Sequence, residues 1–162
     1  GMNIRAEVHN QLGADIVATS VAALQKYEAP IIVIDMGTAT SLSYLGKSTY
    51  QGCIIMPGVR LALEALSGRA AELPHISIEA PSSVLGRSTV DAMRSGVVFG
   101  HAAMIDGMIE RMEQELGCKT TVIATGGIAK FIIPMCKSTI LYDKDLLIKG
   151  LAALYRDNCK KK

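Results

Sequence analysis

The sequence predicts one α/β domain, in which a three-stranded antiparallel meander is extended by parallel strands and covered by helices on both faces. Three observations carry that prediction. Short β-branched runs alternate with longer stretches of helical spacing. The three strand-like segments between residues 31 and 56 are joined by turns too short for anything but antiparallel neighbours. The later strands are separated by helical segments of the kind parallel crossovers need. A length of 162 residues suits a single core, and no repeat or linker divides it, so one domain is expected over 1–162.

The first element is a helix at 12–27, inside the segment 11–27, with Leu12, Val17, Val21 and Leu24 on one face and Pro30 beyond its end. Ile31-Ile32-Val33-Ile34 is too short for a helix and too apolar for a sheet edge, so it reads as a buried strand. It runs into Asp35-Met36-Gly37-Thr38-Ala39-Thr40. A second strand follows at 41–45, Gly46-Lys47-Ser48 makes a turn, and a third strand spans 49–56. Pro57-Gly58 breaks the meander, and a helix over 59–66 is expected to end at Gly68. Ile76 and Ile78 form a short alternating piece and 81–88 a loop. Helical spacing then persists over 89–116, with Gly117 where a C-terminal glycine belongs. A buried strand at 120–124, a short helix at 128–136 interrupted by Pro134, a strand at 140–142 and an amphipathic helix at 145–158 complete the chain. This is the ribonuclease H-like order of elements.

Composition narrows the function classes. Seventeen Lys and Arg against fifteen Asp and Glu give a net charge of +2, which leaves no electrostatic footprint for nucleic acid. The cluster Lys160-Lys161-Lys162 reads as a solvated tail. Aromatics are 4% with no Trp, so stacking platforms for single strands or sugars are not expected. No apolar run has the length of a membrane span. Cys53, Cys118, Cys136 and Cys159 are scattered without metal-ligand spacing, and no signal peptide opens the chain, so reduced thiols and a cytoplasmic location are expected. Gly1 before Met2 has the look of a tag remnant and is set aside.

Two strand ends hold the chemistry. Asp35-Met36-Gly37-Thr38 would place backbone N–H groups, a hydroxyl and a carboxylate at one sheet edge, a setting for phosphate oxygens and a cation. The same residues equally suit a hairpin that needs Asp and Gly for its dihedrals. Thr125-Gly126-Gly127 precedes a helix, where glycines let a base or sugar lie on the backbone; a plain tight turn explains them as well. Together, in these positions, they match the two ends of a nucleotide site. His9, His75 and His101 are isolated, and His101 reads as a packed or interfacial residue. Met93, Met104, Met108 and Met112 recur at helical spacing and read as core or subunit contacts. Ala92, Gly96, Gly100, Ala103 and Gly107 form a small-residue stripe that suits close packing on a sheet or on a symmetry mate.

Gly13-Ala14-Asp15, Asp35-Met36-Gly37-Thr38-Ala39-Thr40, Gly52 with Pro57-Gly58, Leu73-Pro74, Gly86-Arg87-Ser88-Thr89 with Gly96 and Gly100, and Ala124-Thr125-Gly126-Gly127 keep the order and near register of a known family. From about 12 to 158 the chain resembles the type III pantothenate kinases, of the acetate and sugar kinase, Hsp70 and actin superfamily. The resemblance implies an actin-like ATPase domain that phosphorylates pantothenate with ATP to 4′-phosphopantothenate, the first step of coenzyme A biosynthesis. It implies Asp15 as proton acceptor for the pantothenate hydroxyl, and Gly13, Ala14, Asp15 and Thr89 around pantothenate. It places ATP, with Mg2+, on Gly37, Thr38, Gly126 and Gly127, and a monovalent cation, usually K+, on Asp35.

Two features depart from the family pattern. Ile16 stands where the family has Arg, so an alkyl group replaces a guanidinium suited to a carboxylate. The family's first domain, with its Asp-x-Gly-Asn-Thr phosphate loop, has no counterpart before Leu12, so the resemblance covers the second domain. The expectations are therefore a homodimer joined near 89–116, millimolar affinity for ATP, and no pantothenate phosphorylation by this chain alone. The alternative reading is a catalytically inactive dimeric binding or regulatory module that retains the kinase fold.

Overall fold

The computed structural model describes residues 3–4, 13–70 and 72–159, without the side chains of Asn3, Ile4 and Asn158. The expectations placed on Gly1, His9, Leu12 and Lys160-Lys161-Lys162 lie outside the described residues. The elements are β1 (Asn3–Ile4), α1 (Ala14–Lys26), β2 (Ile31–Met36), β3 (Ala39–Leu45), β4 (Thr49–Pro57), α2 (Val59–Arg69), α3 (Thr89–Leu116), β5 (Thr121–Thr125), α4 (Ala129–Ile132), a 3-10 turn (Ile133–Met135), β6 (Leu141–Tyr142) and α5 (Leu146–Cys159).

One sheet joins the strands in the order β1-β4-β3-β2-β5-β6. The meander is antiparallel, from Ile31 opposite Leu45 to Met36 opposite Thr40, and from Ala39 opposite Pro57 to Leu45 opposite Tyr50 with an irregularity at Tyr44/Leu45. β5 adds parallel to β2, and β6 parallel to β5, as the helical connections demand. β1 adds parallel to the outer side of β4, a pairing that the sequence reading did not place.

β2 is the central strand and its alternation divides the molecule. Ile32, Ile34 and Met36 enter a core with α2, α3 and α4, while Ile31 and Val33 enter a second core beneath α1, with Leu146 of α5. The helices thus form one layer on each face. α1 buries Ala18, Thr19, Ser20, Ala22 and Ala23, and these small side chains admit α5 so closely that a Cβ at Gly150 would overlap the Ala18 carbonyl. Asp143, just before α5, locks that pair. Its carboxylate accepts from Lys26 Nζ at 2.9 Å, Lys149 Nζ at 2.7 Å and the Tyr27 hydroxyl at 3.2 Å.

α3 begins at a Ser88 N-cap: Ser88 Oγ accepts from the Asp91 N–H at 3.1 Å, and the helix ends on Gly117 in the left-handed region at φ 67°. His101 is buried, with Nδ1 2.7 Å from the Val97 carbonyl oxygen, a packed residue as expected. Three expectations are corrected. Gly68 does not end α2, which continues through it to Arg69 and is closed by the Ala70 N–H on Leu66 O. Ile76 and Ile78 make no strand; both lie partly buried on the core shared with α2 and α3, so their alternation serves packing rather than a ladder. The stripe of small residues does not pack on the sheet: Ala92, Gly96, Gly100 and Ala103 face outward, since the opposite face of α3 carries Met93, Val97, Val98, Ala102 and Ile105 into the core.

Candidate functional site

β2 reverses into β3 through Gly37 and Thr38, and the Gly37 N–H donates to the Ala39 carbonyl at 3.0 Å. Two glycines hold this turn from either side. Gly58, the residue before α2, donates its N–H to Thr38 O at 3.1 Å, and a Cβ there would overlap the same oxygen. Gly126, directly after β5, sits at φ 101° with its missing Cβ only 2.6 Å from Met36 O, so an L side chain is excluded by both dihedral and contact. Tyr142 adds a third tie, donating its hydroxyl to Gly126 O at 3.1 Å. As a result α2 and the short helix α4 both start against the hairpin.

Between them lies a cleft of about 1030 Å³. Met36, Gly37 and Thr38 form its end, Arg60, Leu61, Leu63, Glu64 and Ser67 of α2 one wall, Gly127, Ile128, Lys130 and Phe131 the other, and 75–78 its third side. Gly37, Thr38 and Gly127 are exposed to it. Thr40, cross-strand partner of Met36, is buried with its hydroxyl unpartnered among the described residues. The exposed Thr38 amide and hydroxyl and a helix start favour an anion, and the apolar wall of Ile128 and Phe131 favours a flat apolar group.

Asp35 points the other way. One residue before Met36, it faces α1, where Gly13 caps the helix and Ala14 and Asp15 open it, all three exposed. Burial raises the Asp35 carboxyl above its ordinary range, and the negative charge of the nearby Asp15 raises it further. Among the described residues neither carboxylate forms an ion pair. A half-buried carboxylate beside a second one, all oxygen donors, fits a hard monovalent cation. No group of three His, Cys, Asp or Glu side chains converges among the described residues, so a divalent ion there would rely on other oxygens, such as those of phosphates. Thr89 opens α3, exposed and outside the cleft lining. Apart from Thr89, the site residues read from the sequence thus fall into two groups on opposite sides of the end of β2: Gly37, Thr38, Gly126 and Gly127 about the cleft, Gly13, Ala14, Asp15 and Asp35 across the sheet.

Sequence reasoning missed the cations of the cleft. Arg60 lies two residues past Gly58, and Lys130 four past Gly126; their places in the first turns after two anchored glycines were the available signal. It also missed Phe131, whose ring lies under the Lys130 ammonium at 4.9 Å.

A family model described as type III pantothenate kinase matches residues 1–111. Type III pantothenate kinase of Bacillus cytotoxicus is 42% identical over 159 residues, covering 98% of this chain and 61% of its own. That of an Exiguobacterium species is 41% identical over 161 residues, covering 99% and 63%. The chain therefore spans about three fifths of the length of these relatives. Among solved structures, a Baf family transcriptional activator from Campylobacter jejuni superposes with TM-score 0.65 at 22% identity, over 94% of this chain and 68% of that one. The activator of 2-hydroxyisocaproyl-CoA dehydratase from Clostridium difficile, with bound ADPNP, gives 0.56 at 14%, over 91% and 67%. The structural likenesses establish the actin-like ATPase fold, and the sequence match over more than half of the residues adds the lineage: the chain belongs to the type III pantothenate kinase family.

Proposed function

We propose that the chain contributes a nucleotide cleft and a proton acceptor to the phosphorylation of pantothenate by ATP, the step that opens coenzyme A biosynthesis in the cytoplasm. The observation that carries this reading is the gathering of Gly37, Thr38 and Gly127 in one cleft, with Asp15 and Asp35 around the end of the same strand. The Thr38 hydroxyl and amide hold phosphate oxygens, while the glycine pair lets adenosine lie on the backbone. Mg2+, when bound, neutralises charge on the phosphates. Asp15 accepts the proton of the attacking hydroxyl, and Asp35 with a monovalent cation balances the charge beside it. Gly13, Ala14 and Thr89 shape the pantothenate side. The outward small-residue stripe of α3 supports a two-fold homodimer.

An NMR titration with ATP at millimolar concentration tests the cleft: the amides of Gly37, Thr38, Gly126 and Gly127 should shift, and a response confined to other residues removes the nucleotide from this place. An ADP-release assay with pantothenate, Mg2+ and K+ tests the acid–base role, since any turnover that survives Asp15→Asn excludes Asp15 as the base. Ile16 favours a second reading, a non-catalytic dimeric module. If Ile16→Arg gains pantothenate binding that the native chain lacks, that reading is supported.

A further inference from the structure

Two cations stand on opposite walls of the cleft, Arg60 on α2 and Lys130 on α4. Both are exposed, and neither forms an ion pair among the described residues, whereas Lys26, Arg94, Lys119 and Lys149 are each held by a carboxylate. Their positions are fixed by the hairpin. α2 starts where Gly58 bonds Thr38 O, which puts Arg60 within its first turn, on the cleft that the Gly37-Thr38 turn closes. α4 starts just after Gly126 presses on Met36 O, which puts Lys130 above the same turn from the other side. Glu64, one turn after Arg60, is the single carboxylate lining the cleft among the described residues, so the formal charge of that lining is positive.

We propose that Arg60 and Lys130 form a two-sided clamp for a polyphosphate chain, so that the cleft selects nucleoside di- and triphosphates over monophosphates and nucleosides. This rests on the reading of the cleft as a nucleotide site and assigns to it two residues outside the turn motifs. Arg60 can fork onto two phosphate oxygens, while Lys130, resting over the Phe131 face, offers a point charge that swings from ring to phosphate. Glu64 opposes both.

The experiment compares Kd for ATP and for adenosine, by NMR titration at low and moderate salt, in the native chain and in Arg60→Ala, Lys130→Ala, the double variant and Glu64→Gln. Both cations are exposed, so unchanged thermal midpoints are expected and serve as the folding control. Each alanine variant should weaken ATP about fivefold to tenfold, leave adenosine unchanged and flatten the salt dependence; Glu64→Gln should tighten ATP about twofold. If ATP binds the native chain but the double variant binds it equally well, or loses adenosine in the same proportion, the clamp is overturned while the nucleotide site stands. If the native chain binds neither ATP nor adenosine in the cleft, the nucleotide reading fails and takes the clamp with it.

Discussion

Asp35 shows how a single side chain can be held at a cost to the fold. Its carboxyl titrates above its unfolded value because burial and the Asp15 charge both disfavour ionisation. An acid raised in this way weakens the folded state wherever it is ionised, and the penalty is absent once the pH falls below its unfolded value. Asp35→Asn should therefore raise the thermal midpoint at pH 7, with no gain below the ordinary carboxylate range, in unfolding scans at both pH values. Asp15→Asn should lower the Asp35 pKa, read from its carboxyl carbon shift; an unchanged titration would mean that burial alone sets it. The sequence exposed Asp35 as a candidate but could not show its orientation, because the parity of a strand is fixed by which neighbours cover it. The Arg60 and Lys130 positions were hidden for a related reason: each follows a glycine that precedes a helix, but only the anchoring of those two glycines on one turn brings the cations to one cleft.

At the scale of elements, tight ends and tight crossings decide. The Ser88 cap of α3 satisfies an amide that the helix cannot, and Ser88→Ala should cost about 1 kcal/mol in denaturant unfolding. Asp143 joins the C-terminal end of α1 to the start of α5. Burial alone would raise its carboxyl, but Lys149, Lys26 and the Asp145 N–H hold it well below the usual range. A depressed acid contributes stability above its unfolded pKa and loses it as the pH falls through the folded one. Asp143→Asn should cost about 2 kcal/mol at pH 7, since both lysines keep access to water, and the difference from the native chain should shrink in acid. The helices and strands themselves were legible because β-branched runs and 3.6-residue spacing speak locally. What was not legible was governed by the neighbours: Gly68 stays helical because nothing nearby calls for a left-handed turn, and Ile76 and Ile78 find a core but no ladder.

At the scale of the molecule, α3 leaves Gly96 and Gly100 open on its outer face, with nothing within 4 Å of where a Cβ would stand. If two copies meet there, Gly100→Leu should reduce a dimer to a monomer in light scattering without lowering the thermal midpoint of the monomer, because the position is exposed and a Cβ there has open space. A native chain that is monomeric at micromolar concentration would remove this face from assembly. The alternation of β2 has a further consequence for how such a chain can change. Since Met36 looks into the cleft and Asp35 away from it, deletion of one residue upstream in β2 would rotate a carboxylate into the phosphate side and a thioether into the cation side. Lineage variation here is expected to keep the length of that strand fixed even where its residues drift, because a frame of one peptide unit separates attraction for an anion from repulsion of it.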